Sequence, residues 1–125
     1  MVNLGGVEAG QAVAVRTRYL ARPGRRAIVI KNLADLQGPT QGTVTLPLWL
    51  YWSGPSPVFD LADPFLRQWL YQIVLREAAR PEDLTSYLDG GLLVALWPEL
   101  YLPRGVRQAW EELHPVLRAA GAIPA

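Results

Sequence analysis

The sequence predicts an α+β fold, with a small antiparallel sheet of about three strands within residues 11–52 and a C-terminal half of four to five helices. Three observations carry this. Apolar residues recur with a period of two over residues 11–20 and 42–52. Ser53-Gly54-Pro55-Ser56-Pro57 has the strongest loop composition in the chain. Beyond it the apolar period becomes three to four residues, punctuated by helix start and stop signals. A length of 125 residues suits one domain. It divides into a glycine-rich arm (1–10), a β-half (11–52), a loop (53–62) and an α-half (63–125).

In the first strand, Val13, Val15, Thr17 and Tyr19 alternate with Ala12, Ala14, Arg16 and Arg18. Ala21-Arg22-Pro23-Gly24 then reverses the chain into the short β-branched run Ala27-Ile28-Val29-Ile30, which predicts a hairpin. A helical turn is expected between Asn32 and Gln37. Over residues 42–52, Val44, Leu46, Leu48, Leu50 and Trp52 face one way and Pro47, Trp49 and Tyr51 the other; Pro47 lacks a ladder donor, so this strand lies at an edge or bends there. Asp63-Pro64 predicts a helix start, with the aspartate as N-cap and proline at the first helical position. The stripe Leu66, Trp69, Leu70, Ile73, Val74, Glu77 follows it. Arg80-Pro81-Glu82-Asp83 starts a short helix expected to close at Asp89-Gly90-Gly91. Leu92 to Trp97 forms a further segment broken at Pro98. Another helix runs from Pro103 until Pro115 forbids its continuation, with Val106, Ala109, Trp110 and Leu113 on one stripe. A terminal turn from Val116 ends at Gly121. Trp69, Ile73, Trp110 and Leu113 are expected to pack together against the 44–52 strand, with Trp52 also on a core face.

The composition excludes several functions. No apolar run approaches the ~20 residues needed to span a bilayer, and Met1-Val2-Asn3-Leu4-Gly5-Gly6 does not read as a signal peptide, so a cytoplasmic protein without a membrane partner is expected. There is no cysteine, the only histidine is His114, and no Gly-x-Ser-x-Gly elbow or Walker-type lysine is present. We therefore expect no enzymatic activity, metal or cofactor. His114, at a helix end, reads as a dipole-compensating or backbone-bonding group. The net charge is +1, but residues 1–58 carry six basic and two acidic side chains and residues 59–125 six basic and nine acidic ones.

Five tryptophans and five tyrosines are the feature with functional content, because amphipathic rings concentrate where proteins bind one another. Trp49 and Tyr51 face away from the leucine row. With Arg16 and Arg18 beside them, if Gln11 to Leu20 pairs with the 42–52 strand, they make the candidate protein interface. A second reading places a helix-turn-helix-like segment at 92–114, with Arg104, Arg107 and Gln108 as DNA contacts. The acidic C-terminal half opposes that reading, since phosphate attraction dominates DNA affinity.

Gly38-Pro39-Thr40-x-Gly42-x-Val44-x-Leu46-Pro47, Asp60-Leu61, Tyr71-x-x-Val74-Leu75-x-Glu77-Ala78 and Leu96-Trp97-Pro98-x-Leu100-x-Leu102-Pro103-Arg104-x-Val106-Arg107-x-Ala109-Trp110-Glu111 together resemble a small family of uncharacterised actinobacterial proteins, over about residues 33–118. The resemblance implies association with abortive-infection-type nucleotidyltransferase toxins. The expected function is thus a non-catalytic protein-binding module, antitoxin-like or an accessory partner of such a toxin; the alternative is a DNA-binding transcriptional regulator.

Overall fold

The computed structural model describes residues 12–52, 54 and 56–121, and the glycine-rich arm expected over 1–10 lies outside them. The fold is α+β, with two small antiparallel sheets and helices concentrated in the C-terminal half. The first sheet is the expected hairpin of β1 (Ala14–Arg22) and β2 (Arg25–Ile30). Pro23 presets the first turn torsion, and Gly24 takes φ +78, which a residue with a Cβ resists. β2 is the inner strand, buried continuously from Ala27 to Ile30, and β1 is the outer one. Register shifts along β1 between Arg16 and Leu20 and between Leu20 and Arg22 break its alternation. The inward face accordingly changes along the segment, with Ala12 and Ala14 half-buried before the first shift and Thr17 and Tyr19 within it, so Val13 and Val15 are exposed and Ala21 is the buried residue of the strand.

Residues 42–52 do not form one long strand. β3 is only Thr43–Thr45, and its partner β4 (Val58–Asp60) arises inside the segment expected to be loop. The cause is Pro47, the bend point. It has no amide hydrogen to extend a ladder, and its carbonyl accepts from the amides of Leu50 and Tyr51 at 3.0 and 3.1 Å, making one tight turn. Burial then follows a helical spacing: Leu46 and Leu50 are buried while Leu48, between them, is 77% exposed.

α1 (Pro64–Glu77) starts as the sequence predicts, with the Asp63 carboxylate accepting from the amides of Phe65 and Leu66. Its second half is buried nearly all round, through Leu70, Tyr71, Ile73, Val74, Leu75 and Glu77. α2 (Pro81–Thr85) is shorter than expected. Asp89-Gly90-Gly91 does not close it but opens α3 (Gly90–Leu96), because the Asp89 carboxylate accepts from the Leu92 amide as an N-cap. A 3₁₀ turn (Trp97–Glu99) leads to α4 (Arg104–Leu113), which ends at the predicted Pro115, and α5 (Pro115–Gly121) follows.

α4 lies against both strands of the hairpin. A Cβ on Gly105 would collide with the Leu20 carbonyl, so glycine lets the start of this helix approach the β1 backbone. At its other end His114 is buried and its Nε2–H donates to the Ile30 carbonyl at 2.7 Å, satisfying the last backbone acceptor of β2. The expected packing of four residues is half realised. Ile73 and Trp110 are buried, but Trp69 is half-buried and Leu113, on the last turn of α4, is 40% exposed.

Candidate protein-binding face

The 47–52 turn, the C-terminal end of α1, the start of α2 and the tip of the hairpin meet on one side of the molecule. At their centre is Asp83, a carboxylate only 1% exposed. Its Oδ2 accepts from the amides of Ala79 and Arg80 at 3.0 and 3.1 Å, capping α2. Its Oδ1 accepts from the Trp49 indole N–H at 3.0 Å and pairs with the Arg80 guanidinium at 3.2 Å. Burial alone would raise the carboxyl pKa, but the hydrogen bonds from Ala79, Trp49 and Arg80 outweigh it and hold Asp83 below the usual carboxylate range.

Trp49 is thus held by its polar end while its ring stays 59% exposed. The Arg80 guanidinium lies 5.2 Å from the ring centroid, within cation-π range. Arg16 reaches the same segment from β1, with Nη2 3.5 Å from the Ala79 carbonyl. Two of the four sequence candidates, Trp49 and Arg16, therefore converge on residues 79–83. Tyr51 is half-buried and meets Phe59 edge-on, with centroids 5.4 Å apart. Arg18 belongs elsewhere, because β1 pairs with β2 and not with the 42–52 segment: it lies over the Tyr19 ring, whose hydroxyl bonds Glu112 of α4.

Beside Trp49, Trp52 is 56% exposed rather than on a core face, because the Pro47 turn rotates it outward. Trp52, Tyr51 and the half-buried Trp69 line a cleft of about 290 Å³ together with Arg22, Arg76 and Glu77. Glu77 is 7% exposed and receives one guanidinium on each oxygen, Arg22 Nη2 on Oε1 at 3.3 Å and Arg76 Nε on Oε2 at 3.1 Å. Arg25 adds a contact to the Glu77 carbonyl at 3.4 Å, and Arg22 lies 5.8 Å from the Trp52 centroid. Phe65, 63% exposed, packs edge-on against Trp69 at 5.4 Å and extends the aromatic surface along α1. Glu77, Arg22 and Arg76 were not sequence candidates. The signal for them was a carboxylate at the end of the apolar stripe of α1, since a buried charge needs partners.

The proposed DNA contacts are arranged differently. Arg107 is turned inward: it donates to the Leu100 carbonyl, pairs with Glu111 at 3.5 Å and lies 4.9 Å from the Trp97 centroid. It fastens α4 to the preceding 3₁₀ turn as a helical corner. Arg104 and Gln108 are exposed. Among the described residues no three histidine, aspartate or glutamate side chains converge as a metal site, and no helix is long and apolar enough to cross a membrane. Compared with protein-family models, with curated proteins and with solved structures, the chain matches none.

Proposed function

We propose that the protein is a non-catalytic protein-binding module and that it binds through the face carrying Trp49, Trp52 and their arginines. The observation that supports this reading best is Trp49, a large exposed ring whose orientation is set by a buried carboxylate. An unconstrained surface indole loses side-chain freedom on association, whereas a ring already anchored at Nε1 loses less, which favours binding. Tryptophan and arginine are also the residue types that dominate interface energetics. Resemblance to proteins associated with nucleotidyltransferase toxins supports an antitoxin-like or accessory role for such a module.

The experiment is co-purification from the native host, followed by reconstitution of the identified partner with recombinant protein. The native chain should bind it with a Kd in the micromolar range or tighter, and the double variant Trp49→Ala/Trp52→Ala should bind at least tenfold more weakly while keeping its circular dichroism spectrum. Unchanged affinity in the folded double variant would remove this face from the function. A duplex-DNA complex that weakens steeply between low and moderate salt would favour the regulator reading instead.

A further inference from the structure

We propose that the cleft between the 47–52 turn and α1 is a recognition pocket for an acidic peptide segment, taking an aspartate or glutamate carboxylate on Arg22 and Arg76 and the neighbouring apolar side chain between Trp52 and Trp69. The proposal rests on the protein-binding reading above and specifies the chemistry of the partner. Its basis is charge. Two guanidiniums flank the single carboxylate of Glu77, and a third, Arg25, meets the Glu77 backbone carbonyl. Among the described residues the only acid lining the cleft is itself buried, so the charge that reaches solvent there is cationic.

Donor capacity agrees. A guanidinium has five N–H donors in a planar fork, and Arg22 and Arg76 each give one nitrogen to Glu77 while their side chains stay 40% and 42% exposed. The remaining donors are available to an incoming carboxylate, which competes with Glu77 for the two guanidiniums. Size also decides the occupant. At about 290 Å³ the cleft falls just under the roughly 300–1,000 Å³ of whole small-molecule sites. It suits one or two side chains of a longer chain running across the face, with the Phe65 and Trp69 pair continuing the apolar contact.

The test is titration of the full chain with capped tetrapeptides, followed by the indole and arginine Nε–H signals in nitrogen-15 NMR spectra. Gly-Asp-Leu-Gly should bind saturably in the millimolar range, shifting the signals of Trp52, Trp69, Arg22 and Arg76. Gly-Asn-Leu-Gly and Gly-Asp-Gly-Gly should each bind at least fivefold more weakly. Glu77→Gln keeps both arginines but removes the competing carboxylate. It should therefore tighten Gly-Asp-Leu-Gly severalfold, a gain that a merely structural Glu77 would not produce. Trp52→Ala, at an exposed position, should abolish the apolar part of the discrimination without unfolding the chain. Equal binding of the aspartyl and asparaginyl peptides, no saturable shift, or no gain in a folded Glu77→Gln variant would overturn the pocket. Such a result would leave the partner titration with the Trp49→Ala/Trp52→Ala variant standing as a separate measurement of the protein-binding reading.

Discussion

Trp97 and Trp49 sit in the same chemical arrangement with opposite exposure. Each donates its indole N–H to a carboxylate, Trp97 to Glu111 at 2.9 Å and Trp49 to Asp83 at 3.0 Å. Each has an arginine near its ring, Arg107 at 4.9 Å and Arg80 at 5.2 Å, and that arginine pairs with the same carboxylate. In the first triad the ring is fully buried and the Glu111 side chain is 20% exposed; in the second the Asp83 side chain is 2% exposed and the ring faces water. The first arrangement turns its apolar area into stability. The second buries its polar anchor and leaves the apolar area outside, where stability gains little from it and a partner can use it.

The largest effect that would break this comparison is at the buried ring. Trp97→Ala should cost about 3–5 kcal/mol, through lost burial and the cavity left behind. Urea denaturation would show it as a large drop in midpoint at unchanged slope. A small loss would mean that the C-terminal corner is not part of the core.

Next comes the buried anchor of the displayed triad. Asp83→Ala should cost about 2–3 kcal/mol, because the Ala79 and Arg80 amides lose their acceptor. The pH dependence follows from its lowered pKa. Asp83 stabilises the fold above the unfolded carboxylate pKa, and the contribution is lost as pH falls through the lower folded value. Asp83→Asn should therefore flatten the acid limb of a stability profile, and an unaltered limb would show that Asp83 is not the titrating anchor.

The alkaline limb reports the core instead. Tyr71 is fully buried and its hydroxyl accepts from the Asp89 amide at 2.9 Å, while burial pushes its pKa up to about 12. An unfolded tyrosine ionises near 10, so stability holds below that pH and falls between about 10 and 12, by on the order of 2–3 kcal/mol. Tyr71→Phe should remove that fall, at the cost of leaving the Asp89 amide without its acceptor. Persistence of the full alkaline loss in this variant would assign it to another group.

The smallest stability effect should be at the exposed ring itself. Trp49→Ala should change stability by under about 1 kcal/mol, since little apolar area leaves the core, although the Asp83 carboxylate loses one of its donors. Thermal denaturation should place it within a few degrees of the native chain. A loss as large as that of Trp97→Ala would make the two triads equivalent and end the contrast.

Residues close in sequence account for most of what could be read in advance. Asp63-Pro64 starts α1 and Pro115 stops α4 because a capping oxygen and a missing amide hydrogen act within one helical turn. Pro23-Gly24 turns the hairpin for the same local reason. Asp89-Gly90-Gly91 misled because aspartate before glycine suits a helix end as well as a start, and the choice lies with the neighbours. Here the Asp89 carboxylate caps α3, and Gly90 packs so close to the Leu33 carbonyl that a Cβ would not fit.

The sequence by itself determined the α+β class, the hairpin, the Asp63 cap of α1, the stop before Pro115 and the presence of aromatic residues beyond those a simple core arrangement uses. Only the tertiary structure decided which rings are inside. The turn at Pro47 swaps a strand period for a helical one, burying Leu46 and Leu50 and turning Trp49 and Trp52 outward. Likewise Glu77 is a polar residue on an apolar stripe until Arg22, 55 positions away in sequence, is placed against it at 3.3 Å. Alternation and capping are set by covalent geometry over a few residues, whereas burial and charge pairing depend on which distant segments pack together.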